Sequence, residues 1–95
     1  MKFLKEFGIS DDVIENMKER YDSSLIDLFI CDEYNASEVI EYFQSIGIEV
    51  IDKLLLTRIE IFSIDVEDIK ESFNRFNVEE LVNKINMDIA YINCL

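Results

Sequence analysis

The sequence contains no histidine and no proline, and it has only two glycines among its 95 residues. Without histidine, the chain lacks the commonest general base, the commonest metal ligand and every histidine-containing catalytic triad. Neither glycine lies in a phosphate-binding motif. The two cysteines, Cys31 and Cys94, are far apart and form no Cys-x-x-Cys pair, which argues against a zinc finger or a thioredoxin-type site. We therefore expect a protein that is not an enzyme and that holds neither a cofactor nor a metal.

Basic residues are also scarce, with nine Lys and Arg against 21 Asp and Glu and a formal net charge of −12. A field of this sign repels nucleic-acid phosphates and anionic membranes. It favours a basic protein partner, or serves only to keep the chain dissolved.

Long apolar runs and a signal-peptide pattern are missing as well, so we expect no membrane span and a cytoplasmic protein. Both cysteines are then expected to be free thiols. Cys31 ends the apolar run Leu25–Ile30 and is interpreted as a small buried residue.

The apolar residues, 49% of the chain, recur at helical spacing and predict one all-α domain over residues 1–95. We expect seven helices or fewer, in short antiparallel pairs. Predicted N-caps are Ser10, Asp22, Asp65 and Asn35, the last in a capping box that ends at Glu38. The segment 59–64 is interpreted as a tight helical turn or connector, because a single strand would have no partner. The last predicted helix carries an apolar stripe at Val78, Leu81, Val82, Ile85, Ile89 and Ile92.

A short sequence pattern occurs three times: the end of an apolar helical stripe, a residue tolerant of positive φ, and a β-branched residue that opens the next stripe. The tolerant residues are Gly8, Gly47 and Asn77, and each is predicted to end a helix in the left-handed conformation. The second and third copies align without a gap at a shift of 30 residues. This pattern predicts about three degenerate tandem repeats, arranged as a right-handed superhelical stack or as a compact bundle. Amphipathic helices joined by Gly or Asn caps would produce a similar pattern without duplication.

The repeat resembles that of the mitochondrial transcription termination factor (mTERF) family, most closely between Phe43 and Phe76. The positions that carry the resemblance are Phe43, Ile46, Gly47, Ile48, Ile51, Leu54, Leu55, Ile59, Phe62, Val66, Ile69, Phe73 and Phe76. The resemblance implies three-helix repeats in a curved superhelix, and armadillo or HEAT-like stacks would leave nearly the same pattern. This chain has Arg58-Ile59 where the family has a proline, and it lacks the basic face with which the family binds nucleic acid.

Acidic residues between the copies are the candidate binding residues. A dense acidic group at 65–71 lacks the glycine of a calcium loop, and Glu38 with Glu41 lacks the Glu-x-x-His of a di-iron site, so both are interpreted as solvated faces. Tyr34, in a predicted loop, is the best candidate for an exposed interface anchor. The candidate partner-binding residues are Asp32, Glu33, Tyr34, Asp65, Glu67, Asp68 and Glu71.

The leading functional hypothesis is a small regulator or adaptor that presents an acidic surface to a basic protein partner. One form of it is an inhibitor that mimics nucleic acid in the binding groove of its target. A homo-oligomeric assembly protein, such as a homodimer, is the alternative, because uncapped repeat ends promote association. A nucleic-acid-binding repeat protein is the third hypothesis, and we expect no such binding.

Overall fold

The computed structural model describes residues 1–94. This part of the chain contains seven α-helices, two 3₁₀ helices and no strand. The α-helices are α1 (Phe3–Glu6), α2 (Asp11–Arg20), α3 (Ser23–Cys31), α4 (Glu33–Ser45), α5 (Ile51–Thr57), α6 (Val66–Asn74) and α7 (Val78–Met87). The first 3₁₀ helix, Ile59–Ser63, follows α5, and the second, Ile89–Cys94, follows α7. The all-α prediction is confirmed, and the doubtful segment 59–64 is a tight helical turn as expected.

Three of the predicted N-caps are confirmed. The side chain of Ser10 accepts a hydrogen bond from Val13 N at 3.4 Å, and that of Asp22 accepts one from Leu25 N at 3.0 Å. Asp65 caps α6 in the same way. Each cap pairs a backbone donor of the first turn that has no partner within its helix, so these starts are fixed by local chemistry.

The two glycine connectors share one geometry. Gly8 and Gly47 have φ of 83° and 91°, in the left-handed region where only glycine is unstrained. At the second connector, Ile48 N donates to Phe43 O at 2.9 Å, the long bond of a Schellman motif, and Ile9 N makes the equivalent bond at the first. These helix ends follow the prediction.

The prediction for Asn77 is wrong. Its φ is −71°, and its side chain accepts a hydrogen bond from Glu80 N at 3.1 Å, so it begins α7 instead of closing α6 in the left-handed form. As an N-cap, Asn77 has an extended backbone conformation, which excludes the left-handed conformation of a helix end. The apolar residue before it, Phe76, is 44% exposed, whereas the matching residues of the first two copies, Phe7 and Ile46, are partly buried against the core.

The last predicted helix is shorter than its stripe. α7 ends at Met87, because Asp88 is extended at φ −152°, and the second 3₁₀ helix follows. Ile92 is nevertheless buried. Ile89 and Ile92 lie on the same side of the second 3₁₀ helix, because this helix has three residues per turn. The apolar spacing read from the sequence therefore fits this 3₁₀ helix as well as a longer α7.

A chain of aromatic rings runs through the core and connects most of the helices. Its ring centroids are 5.5–6.4 Å apart, and most pairs are edge-on or tilted, the arrangement that aromatic rings prefer. In order, the rings are Phe3, Phe29, Phe62, Phe43, Phe73 and Tyr42. The radius of gyration, 12.8 Å, is close to the roughly 12 Å of a globular chain of this length. The helices thus surround one compact core, and the tandem repeat stays a prediction.

The connector geometry gives a first testable prediction. Replacing Gly47 by Ala should lower the free energy of unfolding by about 1–2 kcal/mol, because an L-residue is strained at this φ. Space is not the cause, since an added Cβ would lie 3.8 Å from Val82 Cγ1. Urea denaturation followed by circular dichroism measures the change, with Gly8→Ala expected to behave alike.

The matched control is Asn77. Its replacement by Gly should lower the free energy of unfolding by only about 0.3 kcal/mol, and Asn77→Ala by about 1 kcal/mol, as for other N-caps. A stabilising Asn77→Gly or a neutral Gly47→Ala would contradict the assigned connectors.

Candidate functional site

Asn35 joins two distant parts of the chain, and its predicted role as an N-cap is wrong. α4 already begins at Glu33, so Asn35 lies inside its first turn. Its Nδ2 donates to Phe62 O at 3.1 Å and to Ile64 O at 2.7 Å, and its Oδ1 accepts from Val66 N at 3.1 Å. These three bonds hold the start of α6 against the start of α4. They bring together two groups of candidate residues about 30 positions apart in sequence.

The α4–α6 acidic surface extends from this junction; we define it as Tyr34, Glu38, Glu41, Glu67 and Lys70. Glu38, Glu41 and Lys70 line a shallow pocket of about 230 Å³. Lys70 Nζ lies 3.6 Å from a carboxylate oxygen of Glu67 and 5.7 Å from the centre of the Tyr42 ring. Lys70 therefore pairs with Glu67 of its own helix and lines the same pocket as Glu38 and Glu41 of α4.

Tyr34 stands in the first turn of α4 and not in a loop as predicted, but its expected exposure is confirmed at 79%. Hydrogen bonding to the Glu38 carboxylate, one turn further on, and the negative charge of that group raise the pKa of Tyr34. An exposed tyrosine held beside a carboxylate offers an aromatic face and a hydrogen-bonding group to a partner.

The other candidate residues are dispersed around this surface. Asp32 and Glu33 lie at the junction of α3 and α4, and Asp65 caps α6. Asp68 lies instead on the side of α6 that lines a separate cavity of about 280 Å³. Glu71 pairs with Arg75 at 3.6 Å. The sequence therefore grouped residues that the structure divides between two sides of α6.

Ion pairs use most of the basic residues locally. Within residues 1–94, six of the nine Lys and Arg side chains pair with a carboxylate six positions away or closer. All these pairs are at least partly exposed, so each contributes little to stability. From position 21 to position 52 the sequence has no basic residue at all. Its acidic residues there are Asp22, Asp27, Asp32, Glu33, Glu38, Glu41, Glu49 and Asp52. None of these eight carboxylates takes part in the six ion pairs.

α3 exposes apolar side chains that the candidate residues did not include. Only Ile26 and Phe29 of this helix are buried, whereas Leu28 is 66% exposed and Leu25 and Ile30 are 37% and 39% exposed. The sequence carried a sign of this, since the segment Leu25–Cys31 is apolar on every side with one acidic residue. A helix can face a core of this size with one stripe only, so the others remain outside.

The predicted burial of Cys31 is also wrong. Cys31 is a free thiol, as expected, but its side chain is exposed. It lies on the side of α3 away from the stripe of Ile26 and Phe29. The prediction for the Cys94 side chain lies outside the described part of the structure.

Within residues 1–94, no three His, Cys, Asp or Glu side chains are grouped closely enough to hold a metal ion. No helix in the same range has both the length and the apolar character needed to cross a membrane. Comparison of the chain with known proteins gives no match to a family model, to a curated protein or to a solved structure. The resemblance to mTERF repeats therefore stays a prediction.

The junction at Asn35 gives a second prediction. Asn35→Ala should lower the free energy of unfolding by about 2–3 kcal/mol, because three hydrogen bonds are lost and Val66 N–H is left without its acceptor. Asn35→Asp should cost at least as much at pH 7, because its carboxylate would face the carbonyl oxygens of Phe62 and Ile64. Urea denaturation measures both changes.

Asn16→Ala is the matched control, since Asn16 is an exposed residue of α2. This variant should be neutral or stabilised by up to about 0.7 kcal/mol through helix propensity. Equal stability of the Asn35→Ala and Asn16→Ala variants would show that the three bonds do not form.

Proposed function

We propose that this protein is a non-enzymatic interaction module that presents an acidic surface to a basic protein partner. The observation that carries the proposal is the uncompensated stretch 21–52, which has eight acidic residues and no basic one. Within it, Tyr34 and Leu28 are strongly exposed. Aromatic and apolar anchors inside a charged rim are the usual anatomy of a protein-binding surface. The charge around them selects the sign of the partner.

Direct binding of nucleic acid has little support, because most basic side chains already pair with carboxylates and the field is negative. The form of the proposal in which the protein mimics nucleic acid predicts competition. Duplex DNA or RNA should displace the protein from such a partner. Binding that persists in excess nucleic acid would leave an acidic adaptor as the function.

A third prediction tests the proposal by affinity capture from lysate of the source cells with quantitative mass spectrometry. The protein should enrich basic proteins at about 50 mM salt, and the enrichment should fall as salt screens the charges. The variant Glu33→Gln/Glu38→Gln/Glu41→Gln should lose these proteins, because it removes three negative charges from α4.

The control variant is Glu6→Gln/Glu19→Gln/Glu79→Gln, which makes the same change in charge on other exposed parts of the molecule. It should retain the captured proteins. Equal capture by both variants, or capture of proteins that are not basic, would contradict the proposal.

A homotypic assembly is the second candidate, and one groove favours it. An open groove of about 880 Å³ lies between the α4–α5 connector and α7, with Ile46, Val78, Val82 and Met87 among its lining residues. Met87 is 87% exposed. Self-association through this groove predicts a concentration-dependent dimer by analytical ultracentrifugation at micromolar protein, which Met87→Ser should weaken. A monomer over that range would exclude this candidate.

A further inference from the structure

α3 is apolar around most of its circumference, yet it covers the core with only one stripe. Its buried residues are Ile26 and Phe29, and the Phe29 ring packs between those of Phe3 and Phe62. Helices that are apolar on all sides are normally buried. The exposed side of α3 is therefore an apolar helix face that no other part of the described chain packs against.

Two exposed leucines of α3, Leu25 and Leu28, are three residues apart and hence neighbours on one helix face. We call these two residues the α3 strip. Asp22 caps the helix at one end of the strip, and Asp32 follows at the other end. A carboxylate therefore stands at each end, within the part of the chain that has no basic residue.

We propose that the α3 strip receives an amphipathic helix of a partner protein, whose apolar stripe lies on Leu25 and Leu28 and whose flanking Lys or Arg residues meet Asp22 and Asp32. This inference rests on the proposed function and names the part of the partner that is bound. The nine residues of α3 span about 14 Å, which matches two to three turns of the bound helix. Apolar contact supplies the affinity, and the charges at the two ends fix the orientation.

A second copy of this chain does not fit the same face. Two α3 strips in contact would bring the Asp22 and Asp32 carboxylates at the ends of the strips close together, with no basic residue between positions 21 and 52 on either side. Like charges across an interface are repulsive and disfavour the wrong partner. The sign of the charge thus selects a basic helix over self-association at this position.

The test uses two fluorescein-labelled 18-residue peptides of identical composition, built from Leu and Lys. The first has Leu at helical spacing on one face, and the second has the same residues scrambled so that no apolar face forms. Fluorescence anisotropy measures their binding to the whole protein. The patterned peptide should bind at least about tenfold more tightly than the scrambled one, and Leu28→Ser should weaken its binding by about tenfold through the loss of one buried leucine contact.

Phe76→Ser, a change at an exposed aromatic residue between α6 and α7, is the control and should leave binding unchanged. Thermal unfolding should be alike for the two variants, which separates loss of binding from loss of fold. Equal binding of the two peptides, or no effect of Leu28→Ser, would overturn the α3 strip while leaving an electrostatic interaction module intact. Binding of neither peptide would contradict both proposals. If the free protein forms a dimer that Leu28→Ser dissociates, the α3 strip binds a second copy of the chain and not a partner helix.

Discussion

The side chain of Asn35 joins the two ends of a loop about 30 residues long with three hydrogen bonds. It pairs two carbonyl groups at the end of the first 3₁₀ helix and the first free amide of α6. Without it, these backbone groups, two of them partly buried, would lose their partners within the protein. With it, α6 begins beside the first turn of α4, and the α4–α6 acidic surface forms from residues that the sequence keeps apart. The Phe43, Phe62 and Phe73 rings then pack between the same elements.

Charge and apolar exposure coincide on this molecule. The ion pairs lie within neighbouring turns, so they neutralise the helices that contain lysine and arginine and leave α3 and α4 negative. The same region carries four of the eight large apolar or aromatic side chains that are exposed among the described residues, namely Leu25, Leu28, Ile30 and Tyr34. A surface with both features is matched by a partner with the opposite charge and its own apolar stripe. This coincidence, more than the total charge, is the physical basis of the proposed function.

Local chemistry explains what could be predicted from the sequence. Ser10, Asp22 and Asp65 cap helices through hydrogen bonds two or three residues away, and Gly8 and Gly47 adopt a backbone conformation that other residues avoid. The predictions for Asn35 and Asn77 were wrong for a common reason. The Asn side chain can cap a helix, adopt the left-handed form or pair with distant backbone, and only tertiary structure decides among these roles for Asn35 and Asn77.

The candidate site was predictable in part. Tyr34 and the acidic residues were found from composition and position, but the division of Asp68 from Glu67 depends on the direction in which each faces from α6. The α3 strip could have been found from its all-round apolar pattern, from which only the burial of Cys31 was inferred. Periodicity shows which residues are apolar, whereas burial depends on how many faces of a helix have a neighbour.

Amide hydrogen exchange of the whole protein, measured with and without the patterned peptide, locates the surface on which a basic amphipathic helix binds. We expect slower exchange in residues 22–34, which include α3 and the start of α4, and unchanged exchange in α7. Protection confined to α7 and the groove beside it, or no protection at a saturating peptide concentration, would show that the α3 strip and its acidic surroundings do not bind such a helix.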